Sequence, residues 1–386
     1  MTPPSERLRI LLAGMVAGDP HQGGASWAVL QYVAGLSDLG HEVVLVEPVA
    51  AEALEPDGEA VRYFRSLPLL EGRAALLERG GESTAGLSYS DLLEFARGAD
   101  LLLNISGMLK DEHLLEAVPV RAFLDLDPGF NQVWQATGTE MGIDRHTHCV
   151  TVGVRIGAED CPIPTLERNW IPTLPPVALE HWPMAEASPR RDAFTSVGHW
   201  RSYGSIEHDG VHYGQRTHAF RQLFELPRRA PARFESALGI HPDEVEDLRA
   251  LRENGWDLLD PYEVAGSPDA YAGFVRESKA ELGVAKSGYV NSRSGWFSDR
   301  SAAYLASGRP VVAQDTGFGE VLPTGEGLLA FGDVEEAVAA VAEVEENYER
   351  HGRAARAIAD EHLDSRKVLP RLLERLAASQ PEEAGR

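Results

Sequence analysis

A chain of 386 residues exceeds what one hydrophobic core usually organises, so two α/β domains are expected. With 43% hydrophobic and 25% charged residues, wholesale disorder is excluded. A formal net charge of −24, with no concentrated basic patch, argues against nucleic acid or an anionic membrane surface as a partner.

Residues 1–9 are polar and lead straight into a strand, without the apolar core of a signal peptide. No apolar run approaches ~20 residues, so no membrane span is expected. Cys149 and Cys161 form neither a disulfide framework nor a metal pattern, which suits two thiols in a reducing cytoplasm.

The first strand is read at 8–13, apolar but for Arg9. The loop Asp19-Pro20-His21-Gln22-Gly23-Gly24 follows, then a helix at 25–39 stopped by Gly40. A second strand at 41–46 completes a βαβ unit, which calls for a parallel sheet. Further strands are read at 100–104, 122–125 and 149–154, with a helix at 89–96. Proline is dense over 161–189, and Trp170 and Trp182 make this an ordered crossing between domains. A second α/β half opens with a strand at 193–197. Helices follow at 216–224, 242–253 and 268–279, and short apolar runs at 280–285 and 310–313. Amphipathic helices at 333–345 and 348–362 precede a last one at 365–378, and the polar tail 380–386 should fray.

Several groups can carry chemistry. The loop 18–26, with Gly23, Gly24 and Ser26, lies at a carboxyl strand end, where glycine admits a ligand and a helix N-terminus faces an anion. Its spacing is not that of a dinucleotide fingerprint, and the glycines can equally serve to turn the chain. Ser298 is a plausible N-cap of a helix that begins Asp299-Arg300, and Gly295 and Trp296 lie in the loop before it. Arg300 opposes the helix dipole, so either a bound anion or an acidic neighbour must compensate it. The loop Gly317-Phe318-Gly319-Glu320 offers a carboxylate for sugar or ribose hydroxyls, or a helix cap. After the strand at 193–197 come His199, Arg201 and Arg216, and guanidinium groups suit phosphate. The histidines nearby lack a metal pattern, and no metal is expected. In the first half, Asp125, Asp127 and Phe130 lie at a strand's carboxyl end. There a carboxylate can orient a hydroxyl or act as base, and His146 and His148 are weaker candidates.

Two segments together resemble a known family. Gly23-Gly24-Ala25-Ser26, leading to Gly35-Leu36-Ser37-Asp38-Leu39-Gly40-His41-Glu42-Val43, is similar to the N-terminal pattern of GT-B glycosyltransferases. The match is to the retaining group that includes glycogen synthases and bacterial α-mannosyltransferases. Ala306-Ser307-Gly308-Arg309-Pro310-Val311-Val312, with 325–331 and 332–337, resembles that group's C-terminal core. Two features depart from it. The group's paired donor-binding glutamates correspond here to Gly295 and Ala303, and its basic phosphate grip is replaced by Gly198-His199-Trp200-Arg201-Ser202-Tyr203-Gly204.

The resemblance implies two Rossmann-like domains facing a cleft. The N-terminal domain, 1–185, would bind the acceptor and include most of the crossing. The C-terminal domain, 190–364, would bind the nucleotide sugar. Residues 365–386 would form a helix returning to the first domain, and a tail. The implied activity is metal-independent, hexosyltransferase-type transfer from a nucleotide diphosphate sugar, UDP-linked for instance, to a saccharide or small-molecule hydroxyl. No cofactor is needed beyond that co-substrate. Asp127, His148 and Arg300 would be catalytic. His199, Arg201, Arg216, Gly295, Trp296, Ser298, Asp299, Arg300, Gly317, Phe318, Gly319 and Glu320 would hold the donor. Gly23, Gly24, Ser26, Asp125 and Phe130 would line the acceptor side, and Trp27 and Trp134 also admit a hydrophobic aglycone. Alternatives are a sugar-nucleotide 2-epimerase and a noncatalytic sugar-nucleotide-binding scaffold.

Overall fold

The computed structural model describes residues 7–186 and 188–381. Residues 1–6, and the part of the tail from 382 that was expected to fray, lie outside the described residues. The chain forms two α/β units. In the first, β1 (Arg9–Ala13), β2 (Glu42–Val49), β3 (Ala74–Glu78), β4 (Thr84–Gly86), β5 (Leu101–Ile105), β6 (Arg121–Asp125), β7 (His148–Thr151) and β8 (Trp170–Pro172) build one sheet. Its order is β4-β3-β2-β1-β5-β6-β7-β8, parallel except for the β3–β4 pair. The apolar runs in β1 and β5 follow from burial on both faces.

The second unit opens with β9 (Arg191–His199) and the hairpin β10 (Ile206–His208) and β11 (Val211–Tyr213). It continues with β12 (Phe234–Gly239), β13 (Asp257–Leu258), β14 (Ser278–Gly283), β15 (Val311–Gln314) and β16 (Leu328–Phe331). The second sheet runs β13-β12-β9-β14-β15-β16, with all neighbours parallel. In both sheets strand order reverses beside the first strand, between β1 and β5 and between β9 and β14. In open α/β sheets, ligands bind at the carboxyl ends of strands beside such a reversal.

The hairpin was not expected. Asp209 and Gly210 both have positive φ, 47° and 77°, the turn that joins antiparallel strands through two residues. His208 and His212 are therefore hairpin residues. The β3 and β12 segments were also not read as strands, because their apolar runs are short and Glu235 interrupts β12. Its carboxylate is paired with Arg191 at 2.5 Å.

The last helix, Ser365–Ala378, packs on the first helix, Gly23–Asp38, so the chain ends against the first domain. The Ser365 N–H donates to the Val177 carbonyl at 2.9 Å beside this junction. A Cβ on Gly35 would lie 2.6 Å from the Ser365 Cβ and 2.7 Å from the Leu369 Cδ1. Gly35→Val should therefore destabilise the protein by about 2 kcal/mol through overpacking. A lower midpoint of thermal unfolding would show it, and an unchanged midpoint would contradict this packing.

Candidate active site between the two domains

The loop after β1 is the first place to look for an anion. The backbone N–H groups of Val16, Ala17 and Gly18 do converge, but on the carboxylate of Glu47 from β2, at 3.0, 2.8 and 2.7 Å. Burial pushes the Glu47 carboxyl up, and the three donors partly oppose it. The remaining small residues are also committed. A Cβ on Gly23 would collide with the Ser267 carbonyl, and Gly24 lies under the Tyr271 ring. The Ser26 hydroxyl donates to the Val16 carbonyl at 2.8 Å. The close approach expected here of a ligand is thus made by the second domain and by an internal carboxylate.

Asp125, at the end of β6, is fully buried. It accepts hydrogen bonds from the Asp127 N–H and from the side chains of Asn131, Gln132 and Thr151, at 2.6 to 3.0 Å. Burial raises its carboxyl to about 6 against these donors. It braces the loop and does not face a ligand. Asp127 crosses to the other domain: its Oδ1 takes the Lys286 Nζ at 2.6 Å, the Tyr203 hydroxyl at 2.6 Å and the Tyr289 hydroxyl. Burial raises its carboxyl, but Lys286 and these hydrogen bonds prevail and hold it below the usual range. The Lys286 Nζ also sits 4.1 Å from the Tyr203 ring centre. Phe130 packs into the same cluster against Tyr203, Tyr213 and Tyr289, and Trp296 stacks on Tyr289.

A second seam forms around Arg155, from the loop after β7. Its guanidinium pairs with Asp160 and, at 2.7 Å, with Glu320. Gly295 and Gly317 have positive φ, 73° and 95°, and would place a Cβ 2.8 and 2.6 Å from Arg155 side-chain atoms. These two glycines, and Glu320, therefore serve contact between the domains. Phe318 is buried against Phe297, and a Cβ on Gly319 would lie 3.7 Å from the Thr324 methyl.

His148 starts β7, while Thr151 pairs with Asp125 in the register β6–β7. Three residues along a strand is about 10 Å, so His148 lies towards the opposite edge of the sheet from the cleft. It bonds Thr147 and faces the Ser379 carbonyl, which corrects its expected role. Arg201 is turned away to Glu244, with its second contact at 3.3 Å.

What remains is a compact group at the carboxyl ends of β9 and β14. Ser298 caps the helix Asp299–Ala306, accepting from the Arg300 N–H at 3.2 Å. The Arg300 side chain meets the buried Glu281 of β14 at 2.5 Å and the Val197 carbonyl at 3.2 Å. The acidic neighbour is thus Glu281, which sequence reading missed although a carboxylate inside a buried strand signals a partner. Arg216 opens the helix Arg216–Arg221, and its guanidinium lies against Gly198, where a Cβ would collide with it. Its Nε is buried with no hydrogen-bond partner, and among the described residues no carboxylate reaches it as an ion pair. Burial, then the Arg300 charge, lower its guanidinium to about 9. His199 and Asp299 stay exposed beside it, and the His199 Nε2 meets the Gln22 Oε1 at 2.8 Å across the cleft. This group can accept an anion.

Residues 240–374 match the family model described as glycosyl transferase-like. Solved structures extend the likeness over nearly the whole chain. An α-glucosyltransferase in complex with UDP has a TM-score of 0.63 at 13% identity, covering 95% of this chain and 99% of that one. A structure of an α-glucosyltransferase with UDP and a 13-mer DNA containing an HMU base also scores 0.63 at 13% identity, with 96% and 99% covered. HepE of Anabaena, in complex with UDP and glucose, scores 0.58 at 13% identity, with 97% and 100% covered. No curated protein matches the chain. The architecture is that of the GT-B glycosyltransferases. Among the described residues no helix is long and apolar enough to cross a membrane.

Lys286→Met should leave the Asp127 carboxylate with tyrosine donors alone and cost about 3 kcal/mol near neutral pH. The pH dependence should also reverse. In the wild type the lowered Asp127 pKa contributes stability above the usual carboxylate range, lost on acidification. Without Lys286, burial would raise that pKa, so the contribution would be present at acid pH and lost as pH rises. Denaturant unfolding at about pH 3 and 7.5, on either side of the ordinary carboxylate value, tests this, and parallel behaviour of the two proteins would contradict it.

Proposed function

We propose that the protein transfers a hexose from a nucleoside diphosphate sugar to a hydroxyl of a saccharide or small-molecule acceptor. The observation that carries this reading is the partly buried Arg216, whose Nε is buried without a hydrogen-bond partner and which has no ion-pair partner among the described residues, beside Arg300 and the N-terminus of the helix Asp299–Ala306. A buried cation is costly unless something pairs with it, and a diphosphate does so in bidentate fashion. The UDP in the similar structures supports UDP as the nucleotide.

During transfer the bond between the sugar C1 and the diphosphate oxygen breaks while the acceptor oxygen bonds to C1 and loses its proton. Negative charge grows on the departing oxygen. Arg216, Arg300 and the free N–H groups of the helix stabilise it, so this reading asks for no metal. The closed contacts at Arg155 and Asp127 exclude water and limit donor hydrolysis. The branch differs in its donor grip from the retaining group that it resembles, because Gly295 and Ala303 stand where that group has glutamates. The net charge of −24 favours a neutral acceptor over a polyanion such as the DNA in one similar structure.

Arg216→Met should weaken UDP binding ~10–100-fold, the worth of a charged hydrogen bond of about 1.5–3 kcal/mol. It should also raise, or leave unchanged, the thermal stability of the ligand-free protein, since it removes a partly buried charge without an ion-pair partner. Arg201→Ala should keep UDP affinity. Calorimetry and thermal unfolding check both variants, and undiminished UDP affinity in Arg216→Met would overturn the reading. EDTA should leave transfer from UDP-glucose unchanged, measured as UDP release.

A further inference from the structure

One more polar group in the cleft lacks a partner. Gln314 ends β15, is 6% exposed, and its Oε1 has no hydrogen-bond partner. The residues before it in the strand, Val311, Val312 and Ala313, are apolar, as burial requires. Gln314 lines a cavity of about 10 Å³ together with Ser298, Arg300, Trp296 and Phe318. That is room for one water-sized group. The cavity lies at the carboxyl ends of β14 and β15, against the capped N-terminus of the helix Asp299–Ala306.

We propose that Gln314 determines which sugar the donor carries, its Oε1 accepting a hydrogen bond from one hydroxyl of the transferred hexose. This rests on the nucleotide-sugar reading above. The chemistry selects the group. An unmet amide oxygen calls for a donor such as a hydroxyl, and the cavity admits a hydroxyl but not a ring. A sugar lacking that hydroxyl, or presenting it on the other face, leaves the buried acceptor unpaired. Sites built in this way reject such analogues strongly.

The test compares wild type with Gln314→Met, which keeps length and removes the acceptor, and Gln314→Glu, which keeps an acceptor oxygen. Calorimetry is run with UDP, UDP-glucose, UDP-galactose and UDP-N-acetylglucosamine. UDP affinity should agree within about twofold between wild type and Gln314→Met, and Gln314→Glu is compared by its preference among the sugar nucleotides relative to UDP. Wild type should prefer one sugar nucleotide, Gln314→Met should lose about tenfold or more for it, and Gln314→Glu should keep the preference. An unchanged preference in Gln314→Met, an equal loss for UDP and its sugars, or no preference in wild type would overturn the assignment. Failure of wild type to bind UDP at all would instead remove the reading on which it rests.

Discussion

Two acidic domains closed on one another must find a partner for every charge that they bury, and this constraint shapes the seam. Lys286 meets Asp127, Arg155 meets Glu320 and Asp160, and Arg300 meets Glu281. Each pair returns in hydrogen bonding part of what desolvation costs. Arg216 breaks the pattern. It sits among these groups, held against Gly198, with Glu281 and Asp299 near it but no carboxylate in ion-pair contact among the described residues. An internal carboxylate there would stabilise the ligand-free protein and abolish an anion site. Its absence marks the place where stability gives way to function.

The two domains treat the same structural opportunity in opposite ways. Each sheet reverses order beside its first strand, and each offers backbone donors there. In the first domain Glu47 fills the donors of residues 16–18. In the second, Arg300 is held by Glu281, and Arg216 beside the helix after Ser298 has no ion-pair partner among the described residues. On the proposed function, this asymmetry favours the second domain for the anionic substrate and the first for the acceptor, with Asp127, Phe130 and Arg155 at the contact between them.

The scaffold was largely legible in the sequence. The strand–loop–helix order follows from local periodicity, which short windows of sequence carry, whereas the return of the last helix was implied by the family resemblance. The seam was not. Asp127 and Lys286 are separated by 159 positions, and Glu47 reaches back 31 positions to Val16. Such pairings depend on the register of two sheets, which no local pattern encodes. Glycines misled for the same reason. Gly23, Gly295 and Gly317 suggested a ligand, whereas a neighbouring domain takes up the space that their missing side chains leave. A signal was present in the charged residues interrupting buried strands, Glu47 and Glu281, since such a residue must have a designated partner.

The most direct measurement is a crystal structure of the full chain with UDP. The diphosphate oxygens should lie about 3 Å from the Arg216 guanidinium, with Arg300 still on Glu281 and Glu47 still holding the first loop. A diphosphate bound instead at residues 16–18, with Glu47 displaced, or at Arg201, with Glu244 displaced, would contradict the account.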